Sequence, residues 1–120
     1  MIKEKERIHL TYANCSKNKY RIAIWSPDKH SQTPHFHIID NETEGSKVNV
    51  AINLEDGKIS KEHRNRIPNN YNHIASIIEK QLDIIPSNCY ETRMEFIETI
   101  WNMYNKTLLK VSKKIKIERL

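Results

Sequence analysis

The chain has 120 residues, enough to bury one hydrophobic core and too few for two. Its 38% hydrophobic and 29% charged residues have the balance of a well-solvated globule and exclude a disordered tail. The net charge of +5 lies between Lys106 and Leu120, where six basic residues accompany one acid, Glu118.

No apolar run approaches the roughly 20 residues that cross a bilayer. The opening Met1-Ile2-Lys3-Glu4-Lys5-Glu6-Arg7 is too charged to begin a secretory signal. Cys15 and Cys89 form no C-x-x-C pair, so two free thiols in a reducing cytoplasm are expected.

The first half alternates with period two. Ile8, Leu10 and Tyr12 alternate with His9, Thr11 and Ala13, and after a turn-rich stretch Tyr20, Ile22 and Ile24 alternate with Arg21, Ala23 and Trp25. A Pro27–Pro34 loop follows; then Phe36 and Ile38 alternate with His35, His37 and Ile39, and Val48, Val50, Ile52 and Leu54 with Asn49, Ala51 and Asn53. Such repetition predicts half-buried strands with one wet face. Glu55-Asp56-Gly57-Lys58 reads as a tight turn into a short fifth strand around Ile59. Connections this short favour an antiparallel meander over residues 7–60.

From Pro68 the period becomes helical. Ile74, Ile77, Ile78, Leu82 and Ile85 mark a helix over 69–83 that ends before Pro86. A longer helix over 88–114 is predicted next, with Asn88 as its N-cap and Glu91 as the capping-box partner. Tyr90, Met94, Ile97, Trp101, Tyr104, Leu108, Val111 and Ile115 repeat at 4 and 3, with Phe96, Ile100 and Met103 widening the front of the stripe. The expected architecture is a single α+β domain over 1–120. In it, an antiparallel sheet of four to five strands is covered on one face by two C-terminal helices, the last one long and followed by a basic tail. The tail of that helix is placed for pairing with a second copy of the chain, and its basic residues for holding RNA or another polyanion.

If the apolar residues share the helix-covered face, the open face carries His9, Thr11, Arg21, Trp25, His35, His37, Asn49 and Asn53. Positions 35 and 37 then stand about 6–7 Å apart on one strand face. His30 enters from just upstream, and His30, His35 and His37 make a candidate three-histidine zinc site, since zinc takes imidazole nitrogen and needs three or four ligands. A second patch, Lys61-Glu62-His63-Arg64-Asn65-Arg66, pairs a histidine with two arginines able to clamp phosphate. With Gly45 and Gly57 the chain's two glycines, phosphate-cradling loops are excluded, and the G-x-S-x-G and H-E-x-x-H motifs do not occur.

Ser26-Pro27-Asp28-Lys29-His30 and Pro34-His35-Phe36-His37-Ile38, continued by Ala51 to Ile59 and Arg66-Ile67-Pro68, resemble a bacterial domain family of unknown function marked by a Pro-His-Phe-His motif. The four residues between His30 and His35 are more than the family's usual turn holds, and the long last helix and basic tail exceed the family core. The resemblance implies membership of a toxin–antitoxin-like gene pair, with a cognate toxin or antitoxin as partner, and carries no activity.

Three readings stand open from the residues. One is a metal-independent ribonuclease or phosphoryl-transfer enzyme with no cofactor. In it His35 and His37 are acid and base, Arg64 and Arg66 stabilise phosphate charge, and Arg21, Trp25, Asn49, Asn53 and His63 contact substrate. The second is a non-catalytic regulatory or nucleic-acid-binding partner. The third is a divalent-metal protein built on the histidine cluster.

Overall fold

The computed structural model describes residues 6–10, 20–26, 33–40, 48–85, 87–105 and 114–120, and at 6–10, 21, 25–26 and 104–105 it describes the backbone alone. The expected positions Thr11, Cys15 and His30 lie outside these residues, as does the end of the expected long helix.

Four strands, β1 (Glu6–Leu10), β2 (Tyr20–Ser26), β3 (His35–Asp40) and β4 (Asn49–Asn53), form one sheet in the order β1-β2-β3-β4. Every neighbouring pair is antiparallel, as short connections require. The register places Ala23 opposite His37 on one side and Ala51 opposite it on the other, while His35 faces Asn53.

The expected fifth strand is a single bridge. After β4 the chain turns through Glu55-Asp56-Gly57; the Gly57 N–H donates to the Asn53 carbonyl at 2.8 Å and the Asn53 N–H to the Lys58 carbonyl at 2.9 Å. It then returns along β4, touching it at Ile52/Ile59 and again at Asn49/Arg66. Seven residues on the return strand span three on β4, so the chain between the contacts bows away from the ladder. That bow carries His63.

The alternating apolar set behaves as expected. Ile22, Ile24, Phe36, Ile38, Val50 and Ile52 are buried with Tyr71, Ile74, Ile78 and Leu82 of α1 (Tyr71–Leu82), and with Met94, Ile97, Ile100 and Trp101 of α2 (Arg93–Asn105). The opposite set is not solvated: Ala23, Ile39 and Ala51 are buried, and so are His35 and His37. The expectation of an open polar face is therefore corrected, and the sheet is buried on both faces at β2, β3 and β4. Alanines and an isoleucine interleaved with the histidines make that face apolar enough to be worth covering.

α1 occupies almost the expected span and follows Pro68, whose carbonyl accepts the Tyr71 N–H at 3.1 Å. α2 starts later than predicted. Asn88 has φ 65°, a left-handed turn conformation that asparagine tolerates, and is not a helix cap. Thr92 takes that role instead: its Oγ1 accepts the Glu95 N–H at 3.1 Å, and the Glu95 carboxylate accepts the Thr92 N–H at 2.9 Å. Tyr90 consequently precedes the helix and is fully exposed, and Met103 is also exposed, so neither widens the apolar face. No helix among the described residues is long and apolar enough to cross a membrane.

Residues 114–120 are not helical, which ends the predicted seam before Ile115. Ile115 and Ile117 alternate with exposed Lys114, Lys116 and Glu118, and they bury themselves in the core. The segment is docked at both ends. The Glu118 N–H donates to the Gly57 carbonyl at 2.8 Å and the Glu118 carboxylate accepts the Ile59 N–H at 2.8 Å. Glu79 accepts the Ile117 N–H at 2.7 Å and pairs with Arg119 at 3.3 Å, while Lys114 meets Asp83 at 3.0 Å. Two of the three basic residues in this segment thus face acids of their own domain.

Tyr71 joins α1 to this segment through a 2.6 Å hydrogen bond from its hydroxyl to the Glu118 carbonyl. Burial, with a further contribution from the Glu118 charge and opposition from Arg119, pushes the phenol up to about 12 from 10.0. The folded value exceeds the unfolded one. Stability from this group is therefore whole below pH 10 and is lost as the pH rises from about 10 to about 12. Thermal melts across that window should show the wild type losing stability faster than Tyr71→Phe, which cannot ionise.

Candidate metal centre

Three imidazoles converge at the start of β3. His35 and His37 lie two residues apart on one strand and point to the same face. His63 approaches from the bowed segment beside β4. The ring centroids are 4.9 Å (His35–His37), 4.5 Å (His35–His63) and 5.0 Å (His37–His63) apart, a nearly equilateral triangle. One nitrogen from each ring can be chosen so that all three lie within 4.8 Å of one another.

Second contacts fix which nitrogens face inward. His35 Nδ1 lies 2.7 Å from the Thr33 carbonyl oxygen, which can only accept, so Nδ1 carries the proton. His37 Nδ1 donates in the same way to Asn49 Oδ1 at 2.8 Å. With both Nδ1 atoms so engaged, the two Nε2 atoms face each other 3.1 Å apart. His63 Nδ1 meets the Ser60 hydroxyl at 3.0 Å, and its Nε2 is buried.

The frame around the rings is tightly tied. The Ser60 N–H donates to the Ala51 carbonyl at 2.8 Å, the Asn65 amide to the Ser60 carbonyl at 2.7 Å, and the Ala51 N–H to Asn65 Oδ1 at 2.9 Å. The Thr33 hydroxyl donates to Glu62 at 2.7 Å, so the residue that orients His35 also grips the segment bearing His63. Trp101 closes the site from α2, its ring 5.0 Å from that of His35. His35 and His37 are 1% and 4% exposed, and His63 is half-buried.

The sequence-predicted residues divide accordingly. His35, His37 and Asn49 belong to the site, and Asn53 is the cross-strand partner of His35. His63, read from sequence as part of a phosphate clamp, takes the third position in the cluster. Arg64 and Arg66 of that clamp are exposed. His30, the third zinc ligand expected from spacing, lies outside the described residues. Arg21 and Trp25 flank Ala23 on β2, and their side chains are likewise outside them. Thr33, Ser60, Asn65 and Trp101 were not singled out from sequence.

Comparison of the chain with models of known protein families, with curated proteins and with solved structures gave no match.

Proposed function

We propose that this protein binds one divalent transition metal ion, zinc by preference, through Nε2 of His35, His37 and His63. The observation that carries this reading is the pair of inward-facing Nε2 atoms 3.1 Å apart, each turned inward by an acceptor on its own Nδ1. Two imidazoles bound tetrahedrally to zinc hold their nitrogens about 3.3 Å apart, given Zn–N distances near 2.0–2.1 Å. A shared proton bridges only two such nitrogens, and a third ring with its centroid 4.5 and 5.0 Å from the other two suits a metal ion. An Nδ1–H donated to an oxygen acceptor is the usual means of fixing a metal-binding histidine.

Imidazole donors suit zinc, copper, iron and nickel, and three of them match the ligand count of a zinc site. In this reading the Pro-His-Phe-His string is a ligand strand, with Phe36 anchoring it in the core between its two ligands. An acid–base ribonuclease using His35 and His37 has weaker support, because both rings are buried and face each other instead of flanking a space for phosphate. A toxin–antitoxin-like setting is a separate proposal, tested by whether expression of this chain alone slows growth.

Elemental analysis of protein purified without a histidine tag, followed by zinc titration of the chelator-stripped protein, tests the metal reading. One zinc per chain is expected. Uptake no greater than that of a His35→Ala/His37→Ala double variant would refute it.

A further inference from the structure

We infer that segment 114–120 is a strap whose docking and metal binding strengthen each other, with Glu118 positioning His63 through Ile59 and Ser60. The inference rests on the metal reading above and extends it from the three rings to the element that holds one of them.

The strap lies along the outer edge of the chain that returns beside β4. Antiparallel geometry turns alternate residues of that chain to opposite sides. Lys58 and Ser60 face β4: the Lys58 carbonyl accepts the Asn53 N–H at 2.9 Å, and the Ser60 N–H donates to the Ala51 carbonyl at 2.8 Å. Gly57 and Ile59 present groups to the other side, where one residue of the strap takes both. The Gly57 carbonyl accepts the Glu118 N–H, and the Ile59 N–H donates to the Glu118 carboxylate, each at 2.8 Å. Ser60 follows directly, and its hydroxyl meets His63 Nδ1 at 3.0 Å. Glu118 and His63 are thus joined through two consecutive residues, one held from the strap and the other from β4.

The strap is also held from α1. Glu79 accepts the Ile117 N–H at 2.7 Å, the Tyr71 hydroxyl donates to the Glu118 carbonyl at 2.6 Å, and Asn72 bonds Leu120 twice, at 2.8 and 3.0 Å. Ile115 and Ile117 are buried, but Lys114, Lys116, Glu118 and Leu120 are exposed, so the segment opens more readily than the strands behind it. With the strap undocked, Ile59 loses its outer partner and the stretch carrying Ser60 is gripped on the β4 side alone. Fixing the His63 ring on a metal then costs additional conformational entropy. A docked strap has already fixed it, so metal binds the docked form more tightly. By linkage, bound metal holds the strap down by the same factor.

The zinc affinity of the full chain is measured by competition with a chromophoric chelator, at a temperature where circular dichroism shows every variant folded. Glu118→Ala should weaken zinc about tenfold, within the usual range of coupling between sites. Glu118→Gln keeps an acceptor oxygen for the Ile59 N–H and should stay within about twofold of the wild type. Glu79 bonds Ile117 and Arg119 of the strap. Glu79→Ala loosens the strap from α1 and should weaken zinc about fivefold or more. Reciprocally, zinc should slow hydrogen exchange of the Ile117 amide, whose bond is to Glu79 and not to the site.

Equal zinc affinity in the wild type and Glu118→Ala overturns this inference and leaves the metal reading standing. A loss in Glu118→Ala that Glu118→Gln does not restore overturns it too, because the bond to Ile59 is then not what positions His63. A loss in Glu118→Ala with none in Glu79→Ala, or with Ile117 exchange indifferent to zinc, overturns the coupling and reduces Glu118 to a local support of Ile59. Failure of the wild type to take up zinc overturns the metal reading and this inference together.

Discussion

Replacing His63 with alanine should remove tight zinc binding and leave a folded protein. His63 is half-buried on a bowed segment, whereas His35 and His37 sit inside the sheet, so its loss disturbs packing least. Outer-shell changes at metal sites commonly cost 10–100-fold in affinity, and losing one of three direct ligands should cost about a hundredfold or more. Zinc at a hundred times its dissociation constant stabilises a folded protein by about 2.7 kcal/mol. For a domain of this size that raises the melting temperature by roughly 10 °C. Calorimetry with and without zinc should show this shift in the wild type and no more than about 2 °C in His63→Ala. His37→Ala should also lose the shift and, in addition, be less stable without zinc by about 2–4 kcal/mol, because it leaves a buried cavity and strands the Asn49 Oδ1. A wild-type zinc shift in His63→Ala would remove that residue from the ligand set.

The largest effect on stability is expected at Gly57. Its φ of 74° is left-handed, which costs most residues roughly 1–2 kcal/mol. Space is the stronger constraint. A Cβ there would overlap the backbone carbonyl of Lys116 and crowd Ile115 Cγ1 at 3.2 Å. Gly57→Ala must therefore push away the segment that buries Ile115 and Ile117 and that holds Ile59 through Glu118. A loss of at least ~3 kcal/mol is expected in urea denaturation, within the range of severe backbone substitutions. Gly57→Asn separates the two causes, since asparagine tolerates the left-handed conformation but brings the same Cβ. It should be nearly as damaging as alanine; a mild Gly57→Asn would mean that φ and not the overlap decides.

Much of the sheet was legible in the sequence because period-two alternation is a local signal. Phe36, Ile38, Val50 and Ile52 fall on the face that the pattern assigned them. The solvation of the other face was misread because His35, His37, Asn49 and Asn53 are polar by type. Histidine and asparagine lose little on burial when their hydrogen bonds are made inside, as those of His37 and Asn49 are with each other. Ala23, Ile39 and Ala51 on the same face were the available warning.

The second half held two ambiguities that spacing could not resolve. Asn88-x-x-Glu91 and Thr92-x-x-Glu95 both match a helix start four residues apart, and the left-handed backbone at Asn88 decides for the second. Ile115 fits the heptad stripe that begins at Tyr90, but it equally fits an alternation with Ile117, and only the tertiary contacts with Gly57 and Glu79 select the latter.

The site was half legible. H-x-H on a strand places two imidazoles on one face by geometry alone. The third imidazole of the cluster comes from 26 residues beyond His37, and no spacing rule connects them. What brings His63 to the cluster is the return of the chain along β4, pinned at Ile52/Ile59 and Asn49/Arg66 with a bow between. Sequence reasoning took His30, the nearest histidine along the chain, which lies outside the described residues.

Zinc K-edge X-ray absorption on the zinc-loaded protein reads the central claim most directly. The account predicts a four-coordinate first shell of nitrogen and oxygen at about 2.0–2.1 Å, with outer-shell scattering that fits three imidazoles and drops to two in His63→Ala. A shell containing sulfur near 2.3 Å, or one with fewer than three imidazoles in the wild type, would contradict it.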